Sequence, residues 1–386
     1  MKLLAIPNDS TTAYLRNPQE DFLSEFNPLD KDGKRFFEEV RFLNWKDNKE
    51  SEYFKIRSKP FLKDKKDAEL VMNKLSSGKI RFQNNLFREI FLSEKNEIKK
   101  IIEEYSPQII RAFNTHFAGE LGSIIKEEYK LPLVISAHDP SRLTSIIEEA
   151  DSLICVSESL KNKCLEEYSI REERIKVIPD GIDMDFFYPR KSEYVQFAAK
   201  YKILSVGRIV PSKNIETLLK SISYIKEELG EEIKHLHLGN GTLENLEKIT
   251  TLRDNLGLSK ITSFLGGKHK TELPFYYSWA DVYSLPTLWE GLGRAQIESL
   301  ACGTPVLTTN YAPMTEIVRE CYNGLIYDPL DSNDIAKKTI EYFKNKSLRG
   351  KMENNARKSV EEKYNIKKVM QMNCENYRGL LKNNFG

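Results

Sequence analysis

The stretch 281-DVYSLPTLWEGLGRAQIESLACGTPVL-307 reads as a strand, a tight turn, a helix and a second strand. DVYSLP is short, nearly all apolar and ends on a proline, as suits a strand covered on both faces. Gly291 and Gly293 permit a tight turn with close backbone approach, RAQIESLA opens a helix, and TPVLTT is again apolar. Strands alternating with helices in this way mark a parallel α/β sheet.

Outward from this unit the pattern repeats. KILSVG, KHLHLG, ITSFLG, DVYSLP, TPVLTT and GLIY form one series, and KLLAIP, EVRFLN, QIIRAFN, LPLVISA, SLICVS and IKVIP form another. Between them lies DGIDMDFFYPRKSEYVQFAAKY, non-periodic and containing Gly181 and Pro189, which reads as a linker. The expected fold class is therefore α/β, with two doubly wound, Rossmann-like domains facing a cleft. Residues 1–190 form the N-terminal domain and residues 191–365 the C-terminal one, with a helix over 366–386. Ile366, Val369, Met370, Tyr377, Leu380 and Leu381 give that helix one apolar face, which needs a partner surface such as the N-terminal domain. Residues 45–105 are helical and charged, without a strong motif.

With 386 residues, of which 40% are hydrophobic, the chain can build more than one core. The net charge of +2 conceals an asymmetry, because residues 31–100 hold 19 Lys and Arg against 12 Asp and Glu. A basic region of that size suits an anionic lipid or substrate, but the charges are interspersed, which favours a solvated surface. No nucleic-acid partner is implied. Cys155, Cys164, Cys302, Cys321 and Cys374 form no CxxC pair, arguing against a disulfide framework or a zinc site and for reduced thiols. The N-terminal apolar run is too brief for a signal peptide, and no run approaches the roughly 18 apolar residues of a membrane span. The expected location is cytoplasmic, with membrane contact only peripheral, at the inner face.

Ligands of open parallel sheets bind at the carboxyl ends of the strands, where the polar signals of this chain fall. Glu290 precedes the Gly291–Gly293 turn, and Glu298 lies about two helical turns further on. The turn directs helix N–H groups at the ligand, an arrangement suited to phosphate. Each carboxylate would repel phosphate and is better placed to accept hydrogen bonds from hydroxyls. Hydroxyls on both sides of phosphates describe a nucleotide-sugar. Taken alone, both glutamates would read as ordinary surface residues.

Arg208 and Lys213, just past a strand and Gly207, shift that balance: two cations around Pro211 can hold a diphosphate and offset charge on it as it leaves. Gly239 and Gly241 are a weak G-x-G, and Glu244 stands where a dinucleotide fingerprint needs its third glycine, which excludes a dehydrogenase. Gly266, Gly267 and Lys268 form another strand-end loop, suited to a nucleobase. His138 and Asp139 end a strand of the first domain, where a catalytic and a structural histidine weigh about evenly; His116 is a weaker candidate. His235 and His237 alternate within a strand and read as structural. No DxD triplet or metal-ligand spacing is present, so neither a metal nor another cofactor is expected.

These motifs resemble glycosyltransferase family four, the retaining sugar transferases of GT-B fold, over about residues 107–345. VGRIVPSKN, LGNGTLENLE, FLGG, the E-x(7)-E stretch, EIVRECYNGLIYDP, ADSLICVSESLKN and KVIPDGIDMDFFYP carry the resemblance. It implies that Arg208 and Lys213, with amides around Leu292 and Gly293, bind the donor diphosphate, and that Glu298 binds the ribose. Glu290 and Gly291 would bind the donor sugar, and His138 would stand near the anomeric carbon as the second catalytic residue beside Glu290. The implied donor is a UDP-, GDP- or ADP-sugar and the acceptor a hydroxyl compound, such as a lipid-linked or polysaccharide precursor.

Two places depart from the family pattern. The glycine pair after the first strand is replaced by IPNDSTTAYLR, where Asp9, Ser10, Thr11 and Thr12 offer hydrogen bonds on the acceptor side. The Gly-Gly before EIV is replaced by YAPMTEIV. Two other functions fit the same residues: a nucleotide-sugar epimerase or hydrolase, and a non-catalytic subunit that binds nucleotide-sugar.

Overall fold

The computed structural model describes residues 1–6, 28–42, 96, 98–115, 117–191 and 194–385. Its strands form two six-stranded sheets in which every pair is parallel. The first sheet contains β1 (Lys2–Ile6), β2 (Glu39–Phe42), β3 (Ile109–Phe113), β4 (Leu133–Ala137), β5 (Ser152–Cys155) and β6 (Ile175–Val177). The second contains β7 (Tyr201–Val206), β8 (Ile233–Leu238), β9 (Thr262–Phe264), β10 (Val282–Ser284), β11 (Val306–Thr309) and β12 (Gly324–Tyr327). Every apolar run singled out in the sequence is one of these strands.

The chain divides into two compact units, residues 1–179 with 369–386, and residues 180–368. The boundary expected between 190 and 191 thus moves to 179 and 180, and the linker reading of the intervening segment is corrected. Ile182 bridges to Asn365, a Cβ on Gly181 would meet Ile366, and Phe187 is fully buried. Arg357 holds the segment in place, donating to the carbonyls of Met184, Phe187 and Ala301 at 2.9, 2.7 and 2.7 Å.

In the first unit the strand order is β2-β1-β3-β4-β5-β6. The crossovers include α1 (Phe117–Tyr129) and α2 (Glu158–Glu167). Leu3, Ala5, Ile109, Val134 and Ile154 present one face of the sheet. Val369, Cys374 and Tyr377 of the C-terminal helix cover that face. Tyr377 packs edge-on against Phe37 with ring centroids 5.1 Å apart. The apolar stripe of the terminal helix therefore finds its partner surface on the first sheet, from Val369 onward.

In the second unit the order is β12-β11-β10-β7-β8-β9. The chain runs from β7 outward through β8 and β9, returns to β10 beside β7, and continues the other way. Its helices before the terminal one are α3 (Ile215–Leu229), α4 (Leu243–Asn255), α5 (Leu273–Trp279), α6 (Arg294–Ala301), α7 (Met314–Ile317), α8 (Ser332–Lys344), α9 (Lys346–Ala356) and α10 (Lys358–Glu361). The loops leaving β7 and β10 must part to opposite faces of the sheet, which opens a crevice at their carboxyl ends.

His235 and His237 lie in the core between β7, β8 and β9, and both are fully buried. His237 Nε2 donates to the Gly207 carbonyl at 3.1 Å, so its Nδ1 accepts from the Ser205 hydroxyl at 2.8 Å. Ser205 Oγ then accepts from His235 Nε2 at 2.9 Å, leaving His235 Nδ1 to accept from the Thr262 hydroxyl at 3.3 Å. With both imidazoles held neutral by burial, every member of this chain is satisfied. Burial lowers both pKa values, that of His237 from 6.5 to about 4 and that of His235 well below the ordinary value. A depressed histidine pKa means that unfolding takes up a proton between about pH 6.5 and 4, so stability falls as pH drops through that window. His237 alone accounts for up to about 3 kcal/mol by this linkage. Calorimetric unfolding across that pH range should show the loss, and His237→Gln should flatten the pH dependence.

Candidate functional site

The crevice is built by the two loops that leave β7 and β10. After Gly207 the chain makes a short 3-10 turn, Pro211–Lys213, and enters α3 through Asn214. The β10 loop is tied to that turn at one atom, the Ser212 carbonyl. Leu288 N–H donates to it at 2.8 Å and the Thr287 hydroxyl at 3.2 Å. The residues that follow each anchor then meet: Lys213 Nζ is ion-paired and hydrogen-bonded to the Glu290 carboxylate, with side-chain exposures of 14% and 24%. Arg208 is exposed, and no hydrogen-bond or ion-pair partner reaches its guanidinium among the described residues.

Gly293 ends the β10 loop in the left-handed region, φ 92° and ψ 49°, where a side chain would be strained. A Cβ there would also stand 2.7 Å from Met314 Cε. Met314 belongs to YAPMTEIV, the segment that departs from the family pattern. No side chain caps α6, whose N-terminus follows directly from this turn.

Glu298 is 9% exposed and lies on the buried face of α6. The Tyr277 hydroxyl donates to its Oε2 at 2.9 Å. Arg294 spans two carboxylates at longer range, Nε 4.0 Å from Glu298 Oε1 and Nη1 3.9 Å from Asp180 Oδ2.

The β8 and β9 exits adjoin the crevice on its other side. Gly239 approaches the β7 loop so closely that a Cβ on it would lie 1.8 Å from the Gly207 carbonyl oxygen. Its N–H donates to the Gly266 carbonyl at 2.9 Å, and Gly267 N–H donates to Asn240 Oδ1 at 2.7 Å. Lys268 Nζ lies 5.8 Å from the Tyr276 ring centre. At roughly 5 Å per strand, this loop stands about 10 Å from the β7 exit.

Arg208, Lys213, Glu290, Gly291, Leu292, Gly293 and Glu298 are thus gathered at the carboxyl edge of the second sheet, with Gly267 and Lys268 two strands away. His138 belongs to the first unit. It follows β4 at the carboxyl edge of that sheet, with its ring stacked on Phe113 at 4.2 Å. The neighbouring Asp139 caps the 3-10 turn Pro140–Arg142 by accepting from Ser141 N–H. Asp9, Ser10, Thr11, Thr12 and His116 lie outside the described residues.

Residues 190–359 match the family model described as Glycosyl transferases group 1, and residues 63–186 match Glycosyltransferase Family 4. The chain belongs to the family-four glycosyltransferases. An uncharacterized glycosyltransferase of Methanocaldococcus jannaschii is 28% identical over 306 residues, which is 71% of this chain and 76% of the relative. A D-inositol 3-phosphate glycosyltransferase of Salinispora arenicola is 23% identical over 278 residues, 62% of either chain. The crystal structure of Anabaena Alr3699/HepE with UDP and glucose superposes with a TM-score of 0.74 at 17% identity, covering 98% of this chain and all of that one. The fold is that of the GT-B glycosyltransferases.

The residues that sequence reading missed in this glycosyltransferase are those that hold the others. Tyr277, the Ser212 carbonyl, Asn240 and His237 each bond to a site residue or its loop; Ser212 and Asn240 stand inside quoted motifs without a role read for them, His237 was read only as structural, and Tyr277 stands in no motif. Tyr277 lies 21 residues before Glu298, a separation without a local pattern. Burial, together with the negative charge of Glu298, raises the Tyr277 pKa well above its ordinary value, so the hydroxyl stays protonated as a donor. Tyr277→Phe leaves a buried carboxylate oxygen without that donor. It should cost about 2 kcal/mol, read as a fall in the melting temperature of the second unit. Unchanged stability would show that Glu298 is hydrogen-bonded adequately without Tyr277.

Proposed function

We propose that this glycosyltransferase moves a sugar from a nucleoside diphosphate sugar to a hydroxyl acceptor, with retention at the anomeric carbon and without a metal ion. The observation that carries this reading is the Lys213–Glu290 pair near the uncapped start of α6, with Arg208 on the same β7 loop and without a partner among the described residues. Arg208, Lys213 and the amides around Leu292 and Gly293 offer positive charge and donors to a diphosphate. Glu290 and Glu298 accept from hydroxyls, Glu290 from the sugar and Glu298 from the ribose. Gly267 and Lys268 stand at a base's distance from the β7 exit. A solved structure of like fold holds UDP, so UDP is the first nucleotide to test, ahead of GDP and ADP.

In the reaction proposed, the bond between the anomeric carbon and the leaving phosphate oxygen breaks. The acceptor oxygen bonds to the same face of that carbon, and its proton passes to the departing diphosphate. Arg208 and Lys213 would stabilise the growing negative charge. His138 would contribute from the acceptor side. The acceptor class that fits the family and the basic N-terminal sequence is a lipid-linked or polysaccharide precursor, met by peripheral contact with an anionic membrane. Among the described residues no helix is long and apolar enough to cross a membrane.

Because Lys213 and Glu290 neutralise each other, a bound donor must replace one internal ion pair by two ligand contacts. Glu290→Gln removes the competitor for Lys213. It should therefore tighten UDP binding several-fold while lowering turnover about 10²-fold, as loss of one transition-state hydrogen bond does. Titration calorimetry and initial rates separate the two effects. Weaker UDP binding in Glu290→Gln would remove the sugar assignment.

Arg208→Ala should weaken both UDP and the UDP-sugar, and unchanged UDP affinity would end the phosphate assignment. A thermal-shift panel of UDP, GDP and ADP with their sugars, run with and without EDTA, tests donor class and metal independence together. Turnover of the donor at full rate with no acceptor present would replace a transferase by an epimerase or hydrolase.

A further inference from the structure

In the first unit, α1 and the 3-10 turn Ser145–Glu149 border a surface pocket of about 640 Å³, open to solvent on one side. It is walled by Ile124, Leu131, Pro132 and Ile146, which are apolar, and by charged groups from every element around it. Helix α1 and the residue after it contribute Glu120, Lys126, Glu127 and Lys130; the 3-10 turn contributes Glu148 and Glu149; Asp151 precedes β5. Five carboxylates thus face two ammonium groups.

Three of these seven charges make hydrogen bonds within the unit. Lys126 Nζ bonds to Asp151 Oδ1 and to the Glu149 carbonyl, each at 2.7 Å, and Glu148 Oε1 accepts from Ser169 N–H at 2.7 Å. Glu120 differs from its neighbours. It is only 7% exposed, lines the pocket, and has neither a hydrogen-bond nor an ion-pair partner among the described residues. The charge nearest in effect is Glu149, of the same sign. A largely buried carboxyl that opens only into this pocket, with an exposed carboxylate of the same sign beside it, is costly to ionise unless a cation joins them.

We propose that this pocket binds an aliphatic amine, with its ammonium group between the Glu120 and Glu149 carboxylates and its methylenes along Ile124 and Ile146. Lys126 shows within the same pocket how an ammonium is held there, by one carboxylate and one carbonyl. The apolar walls suit an alkyl chain better than a hydrated ion. Among the described residues no group of three His, Cys, Asp or Glu could hold a metal. The site lies within the first unit and is separate from the donor crevice of the second.

Burial, reinforced by Glu149, pushes the Glu120 carboxyl up to about 7. A carboxyl raised above its unfolded value of 4.5 withdraws stability as pH rises through about 7, and a bound ammonium restores it. Amine binding should therefore strengthen with pH, opposite to simple protonation of the site.

The test uses putrescine and spermidine on the full chain, with Mg²⁺ as a control for general charge screening. Calorimetric titration should show amine affinity about tenfold higher near pH 8 than near pH 6, following the ionised fraction of Glu120. Glu120→Gln should lose the pH dependence and at least about tenfold in affinity, and without amine should melt no lower than wild type near pH 8. Binding of equal strength in Glu120→Gln, an equal effect of Mg²⁺, or no binding at about 10 mM amine would overturn the proposal. If Glu120→Gln does not fold, the pH dependence of the wild type decides alone.

Discussion

The placing of β10 beside β7 is the constraint on which the second unit depends. Because the chain leaves β7 toward β8 and returns to lie on its other side, the two exit loops cannot cover each other. Their backbones are joined only where hydrogen bonds can reach across, at the Ser212 carbonyl. Everything placed beyond that atom follows from it: Lys213 on one loop, Glu290 on the other, and the left-handed turn at Gly293 that starts α6. A parallel sheet of this order exposes its strand-end dipoles and loop amides at one edge, where the chain has gathered its fixed charges.

Around this edge the site residues are held by groups that the reaction need not touch. Glu298 is carried on α6 but oriented by Tyr277 from α5. Gly207 is braced from beneath by His237, through a chain of hydrogen bonds that runs from Thr262 through imidazoles kept neutral by burial. Gly239 and Gly207 approach so closely that no side chain fits between them. Such partly buried polar networks work only when complete, since an orphaned donor or acceptor in a low-dielectric interior costs more than the bond contributes. The supports of this edge are therefore buried groups whose hydrogen bonds fix its loops.

Much of this was legible in the chain. The strand runs are apolar on both faces, and parallel sheets covered by helices leave that trace in local sequence. Arg208, Lys213 and Glu290 are readable because each sits a few residues beyond a strand, and Glu298 because it follows Glu290 at about two helical turns, so local spacing encodes their place. One expectation failed for want of a local signal. Residues 180–201 read as a linker because they lack periodicity, yet Arg357, far along the chain, binds the carbonyls of Met184 and Phe187. The burial of Glu298 was equally hidden, because a helix face does not announce what covers it.

By itself the sequence determined two parallel α/β sheets, the family, and the polar residues that stand at the carboxyl edge of the second sheet. Those features rest on hydrophobic periodicity and on turns spanning a few residues, which are local. Only the tertiary structure decided that Lys213 and Glu290 neutralise each other, that Tyr277 orients Glu298, and that Glu120 stands buried without a partner. Each of those depends on two segments far apart in the chain meeting within a few ångströms. Charge pairing and burial are properties of distance in space, and separation along the chain does not specify that distance.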